Sequence, residues 1–133
     1  GIVVRGNACN VSLQASTFCF NQKQGIALEG LGSNIRLKNC TISHNHMQGL
    51  AISRGNVFCQ FSILSNNELA NLAVFGAGSV GHATDCQISY SNMSGATAQE
   101  GGCLILQSCN ISENAAAGVL SVHEGSMAMV QSS

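Results

Sequence analysis

Along residues 25–48, GIALEGLGSNIRLKNCTISHNHMQ, apolar side chains fall on alternate positions in three short groups: Ile26 and Leu28, then Ile35 and Leu37, then Cys40 and Ile42. A period of two is the mark of a strand with one buried face. Helical spacing is nowhere sustained, and the Gly and Asn residues between the groups would break helices of this length. The arrangement returns along the whole chain. Aligned on their opening residue, the copies start at Gly1, Gly25, Gly49, Asn71, Gly95 and Gly118, with spacings of 24, 24, 22, 24 and 23 residues. Four more columns keep the same frame: Ile2, Ile26, Leu50, Leu72, Ala96 and Val119; Ser16, Cys40, Ser62, Cys86, Cys109 and Ser133; Phe18, Ile42, Leu64, Ile88 and Ile111; and Asn21, Asn45, Asn67, Ser91 and Asn114.

A repeat of roughly 20–29 residues belongs to solenoids, in which each unit buries its apolar face against its neighbours. Three short strands per copy, stacked in parallel, predict a β-helix of about 5.5 coils of 22–24 residues, each inward column becoming a ladder with steps of ~4.8 Å. The third copy lacks two residues near Arg54–Val57, which predicts a shortened turn. In the fourth, Asn71 replaces the opening glycine as the residue next best able to adopt a left-handed conformation, and the middle strand weakens to Gly81 and Ala83. The fifth has a polar first strand, ATAQ, and so a thinner core at Ala96 and Ala98.

The GIxL…IxLxNCxIxxN pattern resembles the right-handed parallel β-helix superfamily, of pectin-lyase-like fold, over the whole chain. That family includes pectate lyases and polygalacturonases as well as non-enzymatic repeat domains, such as those of periplasmic copper-maturation proteins and certain F-box proteins. The resemblance implies an all-β, right-handed parallel β-helix forming a single domain over residues 1–133; because the first residue already sits in repeat register and the last falls mid-coil, the domain is expected to be part of a larger chain. It is specific for fold and not for function, because the coil geometry itself demands these residue types.

Only 8% of the residues are charged, against a typical ~25%, while 45% are hydrophobic and proline is absent. That balance suits stacked strands joined by amide-bonded turns. A net charge of −1 removes the simple electrostatic case for nucleic acid, and no apolar run approaches the ~18 residues of a membrane-spanning helix. All five cations, Arg5, Lys23, Arg36, Lys38 and Arg54, precede residue 55 with only Glu29 against them, while Glu68, Asp85, Glu100, Glu113 and Glu124 follow. In a solenoid that order is spatial, so one end is basic and the other acidic.

Most of the eye-catching residues are explained by stacking. Asn21, Asn45, Asn67 and Asn114 fit an internal ladder whose amides bond the backbone and one another, which the resemblance to this fold family also implies. Of the seven cysteines, Cys40, Cys86 and Cys109 share an inward column with serines and Cys59 takes the place of Leu37, so they read as small buried hydrophobes. Free thiols lean toward a reducing intracellular compartment rather than a secreted one. Asn10, Asn39, Asn92 and Asn110 open glycosylation sequons, which a chain rich in Asn, Ser and Thr generates without selection.

No catalytic, cofactor or metal set is predicted. Pectin-cleaving chemistry needs clustered carboxylates; Asp85 is the single aspartate, and its outer column holds Asn39 and Phe61. His44 and His46 flank the Asn45 turn beside Phe20 and Tyr90, and read as solvated turn residues. An outward threonine row, Thr17 and Thr41, ends at Ile63, Gln87 and Asn110, which sets aside an ice-binding face. What stacking leaves unexplained is an apolar stripe expected on the outside of the first strand, Val3, Ala27, Ala51, Ala73, Thr97 and Leu120, together with a mixed outer column of Arg36, Phe58, His82, Ile105 and Met129 and the adjacent Lys38. An exposed apolar stripe marks a covered or partnered surface, here under a flanking segment of the same chain or another protein, with the partner favoured. The expectation is therefore a non-catalytic scaffold within a larger assembly that engages a protein partner through Val3, Ala27, Ala51, Ala73, Leu120, Arg36, Lys38 and Phe58; the alternative is a carbohydrate-binding or carbohydrate-active, pectin-lyase-like β-helix whose catalytic groove lies outside this stretch.

Overall fold

The computed structural model describes residues 1–131; Ser133, assigned above to the Ser/Cys column, lies outside them. The alternating groups become strands throughout, and no helix forms among the described residues. In the second coil the strands run Ile26–Glu29, Asn34–Lys38 and Thr41–Ser43. Each pairs in parallel with its counterparts one coil away, giving a first and a second sheet of six strands and a third of five. The registers match the sequence columns residue for residue, for example Ile26 with Leu50 and Leu28 with Ile52, or Arg36 with Phe58 and Leu37 with Cys59.

Inward positions build one continuous core along the axis, in which Ile26, Leu28, Ile35, Leu37, Ile42, Leu50, Ile52, Leu64, Leu72, Ile88, Leu104 and Leu106 are fully buried. The coils expected to be weak are repacked locally. At Gly81 a Cβ would lie 2.6 Å from Val74 Cγ2, so the neighbouring valine fills the space that the missing side chain leaves. In the third coil only Arg54 and Gly55 separate the first two strands, and Arg54 takes φ of 64°. The two missing residues thus shorten the turn and leave the ladders in register.

Two corners of each of the first five coils turn on a single residue in the left-handed region, and these are not glycines. Ala15, Asn39, Phe61, Asp85 and Ser108 form one column, with φ between 49° and 53°; Phe20, His44, Asn66, Tyr90 and Glu113 form the other, with φ between 54° and 56°. Left-handed backbone costs roughly 1–2 kcal/mol in a residue with a Cβ. Here the strain is met by inter-coil bonds: the N–H of Asn39 donates to Gln60 O (3.1 Å), that of Phe61 to Thr84 O (3.1 Å) and that of His44 to Ser65 O (3.3 Å).

The opening glycines do a different job. Gly25, Gly49 and Gly95 do not lie in the left-handed region; a Cβ at these positions would come within 2.7, 2.5 and 2.6 Å of the Nδ2 of Asn45, Asn67 and Asn114. Glycine is required because the ladder amide packs against it. Asn45 Oδ1 accepts from both the N–H and Nδ2 of Asn21 (3.1 and 2.8 Å), while Asn45 Nδ2 donates to Phe18 O and to Asn67 Oδ1 (3.1 and 2.9 Å). Asn67 Nδ2 donates to Ile42 O and Asn114 Nδ2 to Ile88 O, each at 3.2 Å. The expected ladder over Asn21, Asn45, Asn67 and Asn114 is present, with Asn45 and Asn67 buried.

Its fourth rung corrects the reading of Asn71. That residue has no left-handed backbone and is completely buried. The fourth coil has Ser91 where the others have the ladder asparagine, and the Asn71 side chain supplies the amide instead. Its Oδ1 accepts from Asn67 Nδ2 at 2.8 Å, and its Nδ2 donates to Ser89 O at 2.8 Å. The asparagine of this coil has in effect moved to the glycine position, and a serine stands in its place. Asn71→Gly alone is expected to empty the rung, and Ser91→Asn alone to overfill it, each destabilising. The double variant restores the arrangement of the other coils, so a double-mutant cycle should give a favourable coupling of about 1–3 kcal/mol, measurable by urea melts.

Candidate functional site

The outer column of the first sheet forms in the predicted register, with Val3 beside Ala27, Ala27 beside Ala51, Ala51 beside Ala73, Ala73 beside Thr97 and Thr97 beside Leu120. Its exposure differs from the expectation. Val3 and Leu120 are exposed at 57% and 37%, but Ala27, Ala73 and Thr97 retain only 5%, 1% and 4%. The flanking positions carry longer side chains, including Met47, Gln48 and Leu69 on one side and Phe75 and Gln99 on the other. Between these walls the small residues form a furrow floor, too recessed to act as a flat contact stripe. Thr97 Oγ1, at that floor, is buried without a hydrogen-bond partner among the described residues.

The second sheet presents the open face. Strand alternation turns Ser12, Arg36, Phe58, His82, Ile105 and Met129 outward as one column, while Val11, Leu13, Ile35, Leu37, Val57 and Cys59 pack inward. The Arg36 guanidinium sits 5.1 Å from the Phe58 ring centre, and the Phe58 and His82 rings are 6.0 Å apart. Lys38, two residues along the strand and on the same face, carries its ammonium 6.0 Å from the Phe61 ring at the corner. A shallow groove of about 310 Å³ runs across these residues, bordered by Gln14, Gln60 and Thr84. Among the described residues no carboxylate lines it, and neither Arg36 nor Lys38 has an ion-pair partner; the ion pair of Arg5 with Glu29, at 3.0 Å, lies elsewhere. His82 Nε2 is buried without a hydrogen-bond partner among the described residues.

The corner group also assembles. Phe20 and His44 stack at 5.1 Å with their planes 21° apart, and His46 Nδ1 is 2.9 Å from Glu68 Oε1. Phe20 and Tyr90 are exposed at 76% and 53%. Asp85, by contrast, has no second acid beside it among the described residues of its corner column, which holds Phe61 and Ser108 on the adjacent coils. Among the described residues no group of three or more His, Cys, Asp or Glu side chains is placed to hold a metal ion, and no helix is long and apolar enough to cross a membrane. The four sequon asparagines are all exposed.

The cysteine column behaves as interior. All seven cysteines are free thiols, and those of the column point at carbonyls of the preceding coil: Cys40 toward Leu13 O, Cys86 toward Cys59 O and Cys109 toward Ala83 O. The hydrogen bond with Cys109 lowers the Cys86 pKa, but the bond to Cys59 and burial outweigh it and push the thiol up to about 12. Cys109 is raised as well, first by its bond to Cys86 and then by burial. A folded pKa above the unfolded value of ~8.5 means that the native state holds its proton more tightly. Stability from this source is therefore full below about pH 8.5 and falls as pH rises through about 12. Thiol alkylation in native protein at pH 8 should accordingly label the partly exposed Cys9, Cys19 and Cys103 and spare Cys86 and Cys109 until the protein is unfolded, as peptide mass mapping would show.

A family profile described as a right handed beta helix region matches residues 32–132, and the chain belongs to that family. No curated protein and no solved structure matches the sequence. The shared identity is that of the coil: the ladder asparagines, opening glycines and inward aliphatic columns are what this architecture requires. Arg36, Lys38, Phe58 and His82 are outside that requirement.

Proposed function

We propose that the chain is a non-catalytic β-solenoid scaffold that holds a protein partner against the outer face of its second sheet. The observation that carries this reading is the column Arg36, Phe58 and His82 with Lys38 beside it: cations and aromatic rings on a rigid open surface, unpaired with acids, and not needed for stacking. Rigid parallel strands hold such side chains at fixed spacing, so little ordering entropy opposes binding. The recessed Ala27, Ala51 and Ala73 are not the contact in this reading; they remain beside it as a furrow. A photo-cross-linking residue in place of Ile105 should capture a discrete protein partner in the native host, while the same residue at Gln22, on a turn outside this sheet, should not. Equal products at both positions, or none at Ile105, would overturn the proposal.

A second reading, a carbohydrate-binding β-helix, draws support from the exposed Phe20 and His44 stack with Tyr90 on the same corner, since ring faces and polar edges together suit sugars. Binding of polygalacturonate to the protein, lost in Phe20→Ala, would select it.

A further inference from the structure

The open face of the second sheet changes character along the solenoid axis. Over the second to fourth coils its outer column is Arg36, Phe58 and His82, edged by Lys38, Gln60 and Thr84. Over the fifth and sixth it becomes Ile105 and Met129; Gln107 and Gln131 continue the Lys38 edge, and Cys103 and Met127 stand on the opposite edge, after Asn34, Asn56 and Val80. Met127 and Met129 are more than half exposed. A partner matching this face must carry negative charge at one end and apolar side chains at the other.

The geometry also sets its length. Arg36 and Ile105 are three coils apart, or ~14 Å at the sheet spacing, and Met129 is one step further at ~19 Å. An extended peptide advances ~3.3 Å per residue, so about five or six residues cover the distance. We propose that this face binds an extended, acidic segment of a partner protein. Its Asp or Glu carboxylates lie over Arg36 and Lys38, and its apolar residues, about four to six positions away, lie over Ile105 and Met129. This rests on the second-sheet face being the contact surface, and adds the chemistry of what it contacts.

The charge pairing is specific in sign. Arg36 and Lys38 stand on one strand, two residues apart and pointing the same way, with Ser12, Gln14, Gln60, His82 and Thr84 as the other polar side chains of the groove. A carboxylate entering there meets two cations and amide donors, and no acid to repel it. Arg36 already rests on Phe58, which holds its guanidinium in one place and reduces the ordering that binding requires. Nothing in this arrangement needs the backbone of the partner to join the sheet, because the second sheet meets it with side chains.

The test is selection of a random-peptide library on the immobilised protein, followed by binding of the enriched peptides to variants. Enriched sequences should carry Asp or Glu separated from apolar residues by the spacing above, and their affinity should fall about tenfold in the Arg36→Gln/Lys38→Gln variant, the effect of losing two exposed ion pairs. Ile105→Ser should weaken the same peptides, and a lysine-for-glutamate peptide should not bind. Enriched peptides without acids that still lose affinity in Ile105→Ser would overturn the acidic assignment and leave the contact face standing. Peptides insensitive to both variants would remove the face itself, and so would no enrichment at all. Polygalacturonate binding that is lost in Arg36→Gln/Lys38→Gln, without peptide enrichment, would replace the peptide by an acidic glycan.

Discussion

Replacing Asn45 with leucine is expected to lower stability by about 3–5 kcal/mol, although leucine is close to asparagine in size. The loss comes from what the amide leaves behind. Asn45 Oδ1 accepts two bonds from Asn21, and Asn45 Nδ2 donates to Phe18 O and Asn67 Oδ1. Removing it strands polar groups of the coils on either side, those of Asn67 fully buried and those of Asn21 and Phe18 partly so, and each buried unsatisfied group costs about 1–3 kcal/mol. In a protein of this size that corresponds to a fall in melting temperature of roughly 10–20 °C. Asn45→Asp would be a milder change if only the acceptor mattered. The two donor bonds predict that it too is destabilising, since a carboxylate facing Phe18 O and Asn67 Oδ1 repels both.

The second large effect is at Gly25. A valine there would place its Cβ 2.7 Å from both Asn45 Nδ2 and Ile42 Cγ2, and 2.8 Å from the carbonyl oxygen of Gly49. The last of these is backbone held in the sheet and cannot step aside, so the rung and the strand must shift together. Overpacking of this kind costs ~3 kcal/mol or more, and it also breaks the amide bonds of the same rung. We expect Gly25→Val to abolish the cooperative thermal transition. Gly32→Ala is the control: its φ is 71° but nothing lies within 4 Å of the added Cβ, so the change should cost only about 1 kcal/mol.

These two residues show how closely the fold could be read from the chain. The period of two within each copy and the 22–24-residue period between copies fixed the strands, their register and the inward columns, because stacking in register translates sequence spacing directly into space. The columns of Phe18, Ile42, Leu64, Ile88 and Ile111 and of Asn21, Asn45 and Asn67 needed no further information. Three features were not legible. The non-glycine corners at Phe61, Asp85, His44 and Tyr90 carry no sequence mark, because inter-coil bonds, not side-chain preference, support their left-handed backbone. The role of Asn71 depends on Ser91, twenty residues away, and looks like a turn substitution until both side chains are placed in one coil.

The third feature bears on function. Alternation correctly turned Ala27, Ala51 and Ala73 away from the core, but pointing outward is not the same as being exposed. Alanine is short, and Met47, Leu69 and Phe75 rise above it. The heights of neighbouring columns decide exposure, and a single column does not contain them. On the second sheet the outward residues are themselves long, so Arg36, Lys38 and Met129 stay exposed and Phe58 forms part of the open face.

The chain divides into residues that hold the coils together and a second-sheet face that the coils do not need. Urea melts of the Arg36→Gln/Lys38→Gln variant beside the wild type test that division most directly. Both side chains are exposed and free of ion pairs among the described residues, so their joint replacement should shift stability by no more than about 1 kcal/mol, against the several lost in Asn45→Leu. A loss in the face variant as large as that of the ladder variant would show that Arg36 and Lys38 serve the fold, and would contradict the account.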